Sequence, residues 1–493
     1  MVAQLNLPET QRDWRPIVRD FEAALGKRSV TRRKEELLVY ECDGLTSYRQ
    51  RPAVVVLPRT TEQVAEAVKI CDRHNVSFVA RGAGTGLSGG ALPLEDAVLI
   101  VTAPMNQILD VDLDNQRVTV QPGVINNWVT QAVSGQGFYY APDPSSQTVC
   151  SVGGNVAENS GGVHCLKYGV TTNHVLGLKL VLPNGDIVEI GGTVPEQPGY
   201  DLTGLFVGSE GTLGIVTEIT LRILKAPEVI SVLLADFTSV EAAGATVSDV
   251  IGAGIIPAGM EMMDNFSLNA VEDVVQTECY PRDAEAILLI EIDGLPAEVA
   301  ASRDRIEALC KANGARQVTV ATDPTERLRL WKGRKAAFAA MGKLSPDYYV
   351  QDGVIPRTQL PYVLQEIAAL GEKHGYRVAN VFHAGDGNLH PLILYNNQVP
   401  GQLEQVEALG GDILKLCVQV GGSISGEHGI GADKRCYMPE MFSDTDLETM
   451  QWVRSSWNPK GLANPTKIFP TPRTCGEGAK SLPQGAFEDV ERF

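Results

Sequence analysis

Apolar residues in the first hundred positions alternate between strand-like and helix-like spacing. The apolar run AVVVLP at 53–58 is typical of a short strand, and apolar positions then recur at helical spacing across residues 64–71. Thr60 or Thr61 can cap this helix by accepting a bond from a backbone N–H. VSFVARG at 76–82 predicts the next strand. The region is therefore expected to form a strand–helix–strand unit.

The rest of the first half is mixed in pattern and rich in glycine. Residues 9–47 are polar with helical spacing, whereas residues 97–123 contain alternating strands around a DLDNQ turn. A hairpin is predicted about Asn184-Gly185, and LGIVTEITLRIL at 213–224 alternates with a period of two. We expect helices and antiparallel strands together in this half.

From about residue 226 the pattern changes and then repeats. Residues 229–263 and 286–321 each follow the order strand, helix, strand, in two passes of similar length. This repetition predicts a ferredoxin-like sheet covered by two helices. A helix is also predicted over 403–420, and the glycine-rich, charged segment 474–493 is expected to be a loose tail.

Length and composition restrict the class of protein. With 493 residues and 44% hydrophobic content the chain can bury large cores, and the length suggests roughly three units. The net charge of −18 disfavours nucleic acid and anionic lipid surfaces as partners. Nine cysteines without a CxxC pair argue against an iron–sulfur cluster, a zinc ribbon or a disulfide framework. Without a signal-peptide pattern or a long apolar run, we expect no transmembrane segment and a cytoplasmic protein, at most peripheral to a membrane.

A glycine-rich loop follows the second predicted strand. RGAGTGLSGG at 81–90 has five glycines in ten positions, and backbone without Cβ atoms can turn its N–H groups onto a pyrophosphate. The loop is not a nucleotide P-loop, because no Lys-Ser/Thr pair follows it. Pro93 also breaks the long helix that a dinucleotide fingerprint requires. Taken alone, the same glycine pattern could also form a tight turn that binds no ligand.

Two further glycine- and serine-rich loops follow, at 140–162 and 204–219. The ordered motifs are Pro-x-Thr-x-x-Gln-Val, Arg-Gly-x-Gly-Thr-x-x-x-Gly, Ser-x-Gly-Gly-Asn and Gly-Ser-Glu-Gly-Thr-Leu-Gly-Ile. In this order they resemble the FAD-binding domain of the vanillyl-alcohol oxidase and p-cresol methylhydroxylase (PCMH) family. The similarity spans residues 50–225.

The resemblance implies FAD as the cofactor and assigns residues to it. The first loop would hold the pyrophosphate, the second would line the flavin and its phosphates, and residues 210–215 would lie toward the adenosine end. For Glu210, capping a turn is the alternative role. Relatives with covalent flavin attach it to a histidine of the first loop, and this loop has none, so noncovalent FAD is expected. The residues assigned to FAD are Arg81, Gly82, Ala83, Gly84, Thr85, Gly86, Ser88, Gly89, Pro142, Ser151, Gly153, Gly154, Asn155, Gly161, Glu210, Gly211, Ile215 and Asn464.

Two histidines stand on either side of a turn in VFHAGDGNLH at 381–390. In a straight strand the side chains of His383 and His390 would point to opposite faces, and in a helix they would lie about 10 Å apart. The intervening Gly-Asp-Gly-Asn supplies turn residues, so a chain reversal can bring both imidazoles to one point.

A second glycine-rich bend, GGSISGEHGIGADKR at 421–435, adds Glu427 and His428. Two imidazoles and one carboxylate form a three-ligand site with open positions, which suits Zn²⁺ and also Mn²⁺ or Fe²⁺. A catalytic divalent ion held by His383, His390 and Glu427 is the prediction. A hydrogen-bonded cluster of the same residues without metal is the alternative.

The motifs HAGDGNLH and GEHGIG, with WNPKGLANPTKIFP at 457–470, narrow the resemblance. They resemble the branch of this flavoprotein family that oxidises 2-hydroxy acids, which contains glycolate oxidase D subunits, D-lactate dehydrogenases and D-2-hydroxyglutarate dehydrogenases. The resemblance implies that His383, His390 and Glu427 bind a divalent metal and that His428 is the catalytic base. The base would accept the hydroxyl proton while hydride leaves C2 of the substrate for flavin N5.

The same resemblance suggests how the substrate is held. Relatives carry an arginine after a tryptophan, which makes Arg334 in LWKGRKAAF the candidate for the substrate carboxylate. Asn388 is a candidate contact for substrate or flavin. An exposed arginine and a turn-holding asparagine are the alternatives. Relatives specific for larger diacids have a lysine where this chain has Val350, so a short 2-hydroxy acid, glycolate or D-lactate, is favoured.

A dehydrogenase of this kind needs an electron acceptor. Because the chain has no cluster-binding cysteine pattern, electrons are expected to pass to a quinone, a soluble carrier or an iron–sulfur partner subunit. A homodimer is left open. Two other functions also stay open, a metal-independent FAD oxidase of an alcohol or aldehyde, and an electron-transfer flavoprotein subunit of a larger glycolate dehydrogenase complex.

The predicted fold class is α+β. It combines a two-part FAD-binding domain of the PCMH type, a ferredoxin-like substrate domain, and a C-terminal helical segment that returns to the FAD domain. The predicted boundaries are 1–48 for an N-terminal helical segment, 49–225 for the FAD domain, 226–430 for the substrate domain with the metal site, 431–473 for the returning segment and 474–493 for the tail.

Overall fold

Three parallel strands and one antiparallel strand form the first sheet of the structure, a computed structural model that describes residues 12–194, 198–276 and 278–470. Its elements are α1 (Arg15–Leu25), β1 (Val30–Thr31), α2 (Lys34–Leu37), β2 (Val54–Val56), α3 (Thr61–Arg73), β3 (Phe78–Arg81) and β4 (Val98–Val101). The strand order is β1-β2-β4-β3. The predicted strand–helix–strand unit is therefore present as β2, α3 and β3, but β4 lies between its two strands.

Two residues explain where α3 begins and where α1 ends. The Thr60 hydroxyl caps α3 by accepting a bond from the N–H of Gln63. The helical prediction for residues 9–47 is only partly correct, because α1 ends at Gly26, where φ is +84°, and the chain then forms β1. Glycine at a positive φ ends a helix that polar periodicity alone would extend.

An antiparallel sheet completes the amino-terminal half. Its elements and neighbours are β5 (Ile108–Asp112), β6 (Arg117–Val120), α4 (Asn126–Val133), β7 (Phe138–Tyr139), α5 (Val152–Glu158), α6 (Cys165–Tyr168), β8 (Val175–Val181), β9 (Ile187–Gly191), α7 (Leu202–Phe206), β10 (Ile215–Arg222) and β11 (Leu224–Lys225). The strand order is β5-β6-β10-β8-β9, and β11 pairs with β7. The predicted hairpin about Asn184-Gly185 joins β8 to β9 and is confirmed. Alternate residues of β10 are buried, as its period-two pattern predicts.

The second half begins with the predicted ferredoxin-like unit. Its elements are β12 (Val229–Phe237), α8 (Val240–Gly252), β13 (Gly259–Asp264), α9 (Asn265–Val275), β14 (Ala286–Gly294), α10 (Pro296–Ala312) and β15 (Ala315–Val320). The four strands are antiparallel in the order β15-β12-β14-β13. The two strand–helix–strand passes are thus confirmed.

The chain then extends this sheet toward the histidine motif. The remaining elements are α11 (Pro324–Met341), β16 (Asp347–Val350), β17 (Gly353–Val354), α12 (Leu360–His374), β18 (Val378–His383), β19 (Asn388–Leu389), β20 (Pro391–Tyr395), α13 (Gln402–Gln419), α14 (Met438–Met441) and α15 (Asp444–Trp457). Strand β18 pairs with β13, and β19 and β20 fold back on it. The chain reversal predicted after His383 is confirmed, as is the helix predicted over 403–420.

Helices cover both faces of the extended sheet. On one face, Val247 of α8 and Ile306 of α10 pack against Leu233 and Leu288. On the other, Leu268 of α9 and Leu330 of α11 belong to a separate buried cluster. The sequence predicts only the first helical layer, because the strands are apolar on both faces and their pattern does not show what covers each face.

After α15 the chain returns to the first sheet. Ala463 forms a parallel bridge with Phe78, and the side-chain amide of Asn464 donates bonds to the carbonyls of Gly90 and Glu210. The amino-terminal half is therefore completed by residues from the far end of the chain.

The α+β class is confirmed, whereas the predicted domain boundaries stay predictions. The predicted tail at 474–493 lies outside the described residues. Among the helices in the part of the chain that the structure describes, none is long and apolar enough to cross a membrane.

Candidate active site

A cavity of about 490 Å³ opens between the glycine-rich loops of the amino-terminal half and helix α11. The loop that follows β3 and the loop that leads into α5 form its walls, and the turn before β10 closes it. The residues assigned to FAD that line it are Arg81, Gly82, Ala83, Gly84, Thr85, Gly86, Ser151, Gly153, Gly154, Asn155, Glu210, Gly211 and Ile215. The three motif loops therefore meet at one cavity.

Glycine allows these loops to approach each other closely. A Cβ atom on Gly82 would overlap the hydroxyl of Ser151, which accepts a bond of 3.1 Å from the N–H of Ala83. Gly84 has φ +72°, and a Cβ atom there would overlap the guanidinium of Arg81. Such glycines fit a cradle of backbone N–H groups, which is the arrangement that receives a pyrophosphate.

Five residues assigned to FAD do not line the cavity. The Ser88 carbonyl accepts bonds from the N–H groups of Ala432 and Asp433, and Gly161 lies against the carboxylate of Glu427. These contacts join the cradle to the C-terminal half of the chain. The five residues are Ser88, Gly89, Pro142, Gly161 and Asn464.

Glu210 lines the cavity, but its carboxylate binds protein backbone. Its two oxygens accept bonds of 2.7 and 2.8 Å from the N–H groups of Ile430 and Gly431. Burial raises the pKa of Glu210, and these two bonds act against the rise. The structure thus places Glu210 as a support for a loop, which is closer to the turn-capping alternative than to an adenosine contact.

His383 and His390 converge on Glu427. Their Nε2 atoms lie 3.2 and 3.0 Å from Oε1 of Glu427, and the two rings are nearly perpendicular, with centroids 5.1 Å apart. The convergence depends on the turn between them, where Gly387 has φ +80° and Asn388 pairs with His383. Each of the three side chains offers one ligand atom within 4.8 Å of the others, so the set fits a divalent ion with three protein ligands.

The electrostatics of this cluster favour a cation. Burial opposes the charged form of His383, but Glu261 and Glu427 outweigh it and raise the pKa of the imidazole well above its usual value. Burial would also raise the pKa of Glu427, yet bonds from His383 and His390 hold it well below its usual value. Positive charge between Glu261 and Glu427 is therefore favoured, and a divalent ion would supply it in place of a proton, since metal ligands release their protons on binding.

Behind the cluster, Glu261 and Arg334 form a buried ion pair. Oε1 of Glu261 lies 2.8 Å from Nδ1 of His383, and Oε2 lies 2.5 Å from Nη2 of Arg334. Burial would raise the pKa of Glu261, but Arg334 and then His383 lower it. Arg334 is 1% exposed and does not line the cavity, so the structure does not bring it to the position expected for a substrate contact. It instead pairs with a carboxylate that bonds to Nδ1 of His383, a histidine of the cluster that fits a metal ion.

Replacing Arg334 with methionine is expected to destabilise the protein by about 3–5 kcal/mol, because the buried Glu261 carboxylate loses its cation. The free energy of unfolding of the FAD-loaded protein in urea measures this. Arg303→Met is the matched control, since Arg303 is a half-exposed arginine that pairs with the neighbouring Asp304. Equal stability of the two variants would contradict the role given to Arg334.

The imidazole of His428 lines the cavity beside the cluster. It stacks on His390 with ring centroids 4.8 Å apart and planes 10° from parallel. Burial lowers the pKa of His428 to about 4, the Asp352 carboxylate opposes the shift, and His390 adds to it. The ring is therefore neutral at pH 7 and can accept a proton.

Asp352 is a buried carboxylate that the sequence analysis did not identify. It accepts bonds of 3.0, 3.2 and 2.9 Å from the N–H groups of Gly426, Glu427 and His428, and it lies 3.2 Å from Nζ of Lys434. Burial would raise the pKa of Asp352, but Lys434 and then His428 lower it. The residues that it binds lie 74 or more positions later in the sequence. The only feature of the sequence that marks Asp352 is that it is a single aspartate between two short strands.

The wall above the histidines comes from α11 and β16. Lys335, Phe338 and Tyr348 line the cavity there, and the Phe338 ring lies 6.0 Å from His390 and 6.4 Å from Tyr348. Lys335 is exposed at the cavity, one position after the arginine that the sequence favoured. Successive helical residues point about 100° apart, so one position changes which side chain faces the site.

Asn388 does not line the cavity either. Its side chain packs against Gly426, where a Cβ atom would lie 2.7 Å from the Asn388 amide carbon. The structure thus places Asn388 between the histidine turn and the 425–431 bend, which agrees with the turn-holding alternative.

Two protein-family models match the parts of the chain that form the cavity. The family model described as FAD binding domain matches residues 52–191. The family model described as FAD linked oxidases, C-terminal domain, matches residues 226–468, which include the histidine cluster.

Individual relatives and solved structures resemble most of the chain. It is 52% identical to glycolate oxidase subunit GlcD of Escherichia coli strain K12, over 93% of this chain and 92% of that protein. It is 35% identical to D-lactate dehydrogenase of Anaerostipes hadrus, over 85% of this chain and 90% of that protein. A crystal structure of p-cresol methylhydroxylase with substrate bound matches with a TM-score of 0.78 over 93% of this chain and 97% of that one, at 17% identity. The last comparison confirms the PCMH type of fold.

Proposed function

We propose that this chain, which belongs to the family of FAD-linked oxidases, oxidises glycolate or D-lactate with the help of a divalent ion. Its relatives show that it is an FAD-dependent 2-hydroxy acid dehydrogenase. One observation carries the proposal. A neutral imidazole, His428, stacks on a histidine of a metal-fitting cluster inside the same cavity that the FAD cradle lines. The proposed base, the cluster that fits a cation and the glycine-rich cradle therefore border one cavity, which supports the proposal.

Each part of the site has a chemical role in this proposal. His383, His390 and Glu427 hold the divalent ion, Zn²⁺ with Mn²⁺ or Fe²⁺ as alternatives, and His428 accepts the proton of the substrate hydroxyl. When bound, FAD supplies a hydride acceptor for C2 of the substrate, and the ion supplies a Lewis acid that favours loss of the hydroxyl proton. The cradle loop carries no histidine, which supports noncovalent FAD.

The wall of the cavity supports a short monocarboxylic substrate. The rings of Phe338 and Tyr348 border the space beside His390 and offer no second cation for a diacid. With Arg334 buried in its own ion pair, we assign the substrate carboxylate to Lys335, whose ammonium is exposed at this cavity.

Lys335→Met is expected to raise the KM for glycolate or D-lactate about 10-fold or more, because a charge-assisted hydrogen bond contributes about 1.5–3 kcal/mol. The kcat should change less than the KM, since the bond is present in both ground and transition states. Steady-state kinetics measure both values. Lys332→Met removes a neighbouring exposed lysine of α11 outside the cavity, and an equal KM for the two variants would contradict the assignment.

A substrate panel tests the function as a whole. The purified protein is mixed without oxygen with glycolate, D-lactate, L-lactate and D-2-hydroxyglutarate, and the loss of flavin absorbance is followed. We expect fast bleaching by glycolate or D-lactate and slow bleaching by the diacid. Full activity after complete removal of metal by a chelator would support the metal-independent oxidase, and no bleaching by any acid would support a noncatalytic subunit.

The electron acceptor is proposed to be a quinone or an iron–sulfur partner subunit. The relatives at 52% and 40% identity are both called glycolate oxidase subunits, which supports an assembly with other chains. The chain itself has no paired cysteines for a cluster.

A further inference from the structure

The bend at 425–431, which carries Glu427 and His428, is held through its backbone by two buried carboxylates. Asp352 accepts bonds from the N–H groups of residues 426, 427 and 428. Glu210 accepts bonds from those of residues 430 and 431. Five N–H groups of six consecutive residues therefore end on these two side chains.

The bend is also closed on itself by Ser425, whose hydroxyl bonds the N–H and the carbonyl of Gly429, but the two carboxylates are the side chains that fasten it to other parts of the fold. Gly429 and Gly431 have φ of +86° and +54°, which few other residues adopt without strain. A glycine-rich segment loses much conformational freedom when it is ordered, so its geometry depends on the groups that bind its backbone.

The two carboxylates come from different halves of the molecule. Asp352 lies between β16 and β17, in the same half as His383 and His390, and it is 0% exposed. Glu210 lies on the turn before β10, in the half that forms the cofactor cradle, and it is 5% exposed. The segment that bears the base is thus fastened to both halves at once.

We propose that Asp352 and Glu210 are positioning residues with separate tasks, an inference that rests on the proposed function. Asp352 holds the backbone of Glu427 itself and so sets the metal-binding geometry with His383 and His390. Glu210 holds the residues just after His428 and so sets the position of the base relative to the cofactor half. The two tasks predict different effects on metal affinity.

Asp352→Asn and Glu210→Gln test this division in the full-length FAD protein. Zn²⁺ affinity is measured by competition with a chromophoric chelator, and flavin reduction by glycolate or D-lactate is measured without oxygen. We expect Asp352→Asn to weaken Zn²⁺ binding about 10–100-fold, as losses behind a metal ligand commonly do, and Glu210→Gln to leave it within about threefold. Both variants should slow flavin reduction about 10-fold or more.

Glu272→Gln is the matched control. Glu272 is also a buried carboxylate, 4% exposed, that accepts backbone bonds, from Glu278 and Tyr280, but it does not line the cavity. This variant should keep both the Zn²⁺ affinity and the flavin reduction rate of the unmodified protein. Should Asp352→Asn fold poorly, Asp352→Glu keeps the carboxylate but lengthens the side chain that meets the three N–H groups, and a smaller loss of Zn²⁺ affinity in the same direction is expected.

The outcomes separate this inference from the function on which it rests. Unchanged Zn²⁺ affinity in Asp352→Asn, or a loss in Glu210→Gln equal to that in Asp352→Asn, would overturn the division of tasks. If the unmodified protein binds no Zn²⁺, the metal part of the proposed function fails instead. In that case the rate of flavin reduction tests the positioning roles. Rates in Asp352→Asn and Glu210→Gln equal to the rate in Glu272→Gln would overturn these roles.

Discussion

Replacing His428 with asparagine is expected to slow flavin reduction by the substrate about 10²–10⁴-fold at pH 7, while the protein stays folded and yellow. The imidazole, which we propose as the base, lines the cavity beside the metal-fitting cluster, and asparagine cannot accept the proton. Rapid mixing without oxygen measures the reduction rate, and the visible spectrum reports bound FAD.

The pH dependence gives this prediction a second readout. Because the pKa of His428 is lowered to about 4, the ring is neutral above that pH and becomes protonated below it. The reduction rate of the unmodified protein should therefore be level around pH 7 and fall as the pH drops through about 4. His374→Asn, which changes a histidine that pairs with Asp412 outside the cavity, should keep both the rate and this profile. A rate for His428→Asn within about threefold of this control would show that another group is the base.

The second large effect is expected for His390→Ala. Loss of one of three ligands should weaken Zn²⁺ binding at least about 100-fold, because two protein ligands do not complete a catalytic site of this kind. Turnover should fall with metal content, and His428 loses the ring on which it stacks. Metal analysis after dialysis and the reduction rate at saturating Zn²⁺ separate the two losses.

His174→Ala is the control for removing a buried imidazole. His174 is 2% exposed, bonds to the carbonyl of Tyr168 and lies outside the cavity. Its loss should cost stability but leave Zn²⁺ content unchanged. If His390→Ala keeps a full complement of Zn²⁺, His390 is not a ligand, and the three side chains form the hydrogen-bonded cluster that is the alternative.

The features that follow from local sequence were predictable. Gly-Asp-Gly-Asn between His383 and His390 indicates a reversal because few other sequences turn so tightly, and the structure has this reversal. The repeated strand–helix–strand passes likewise give the ferredoxin-like sheet. In the first case the contact lies within a few residues of the pattern, and in the second the repeated pattern itself marks the strands that pair, although β12 and β15 lie about 80 residues apart.

The features that depend on distant contacts were not predictable in this way. Glu261 meets His383 across 122 residues, and Asp352 meets the 425–431 bend across more than 70. Each is a single acidic residue in an apolar strand or turn, and no spacing connects it to its partner. The orientation of α11 is a related case, since an arginine and a lysine stand side by side at 334 and 335 and only packing decides which one faces the cavity.

The return of the chain to its first sheet has a consequence for biosynthesis. Asn464 bonds to Gly90 and Glu210, two residues that belong to the cofactor cradle, and Ala463 sits beside Phe78 at the end of the first sheet. A ribosome that has completed residue 225 has therefore made all three glycine-rich loops but not Asn464, which joins the first loop to the third. These contacts can form only after nearly all of the described chain has been made, and a chain that stops before residue 463 lacks them.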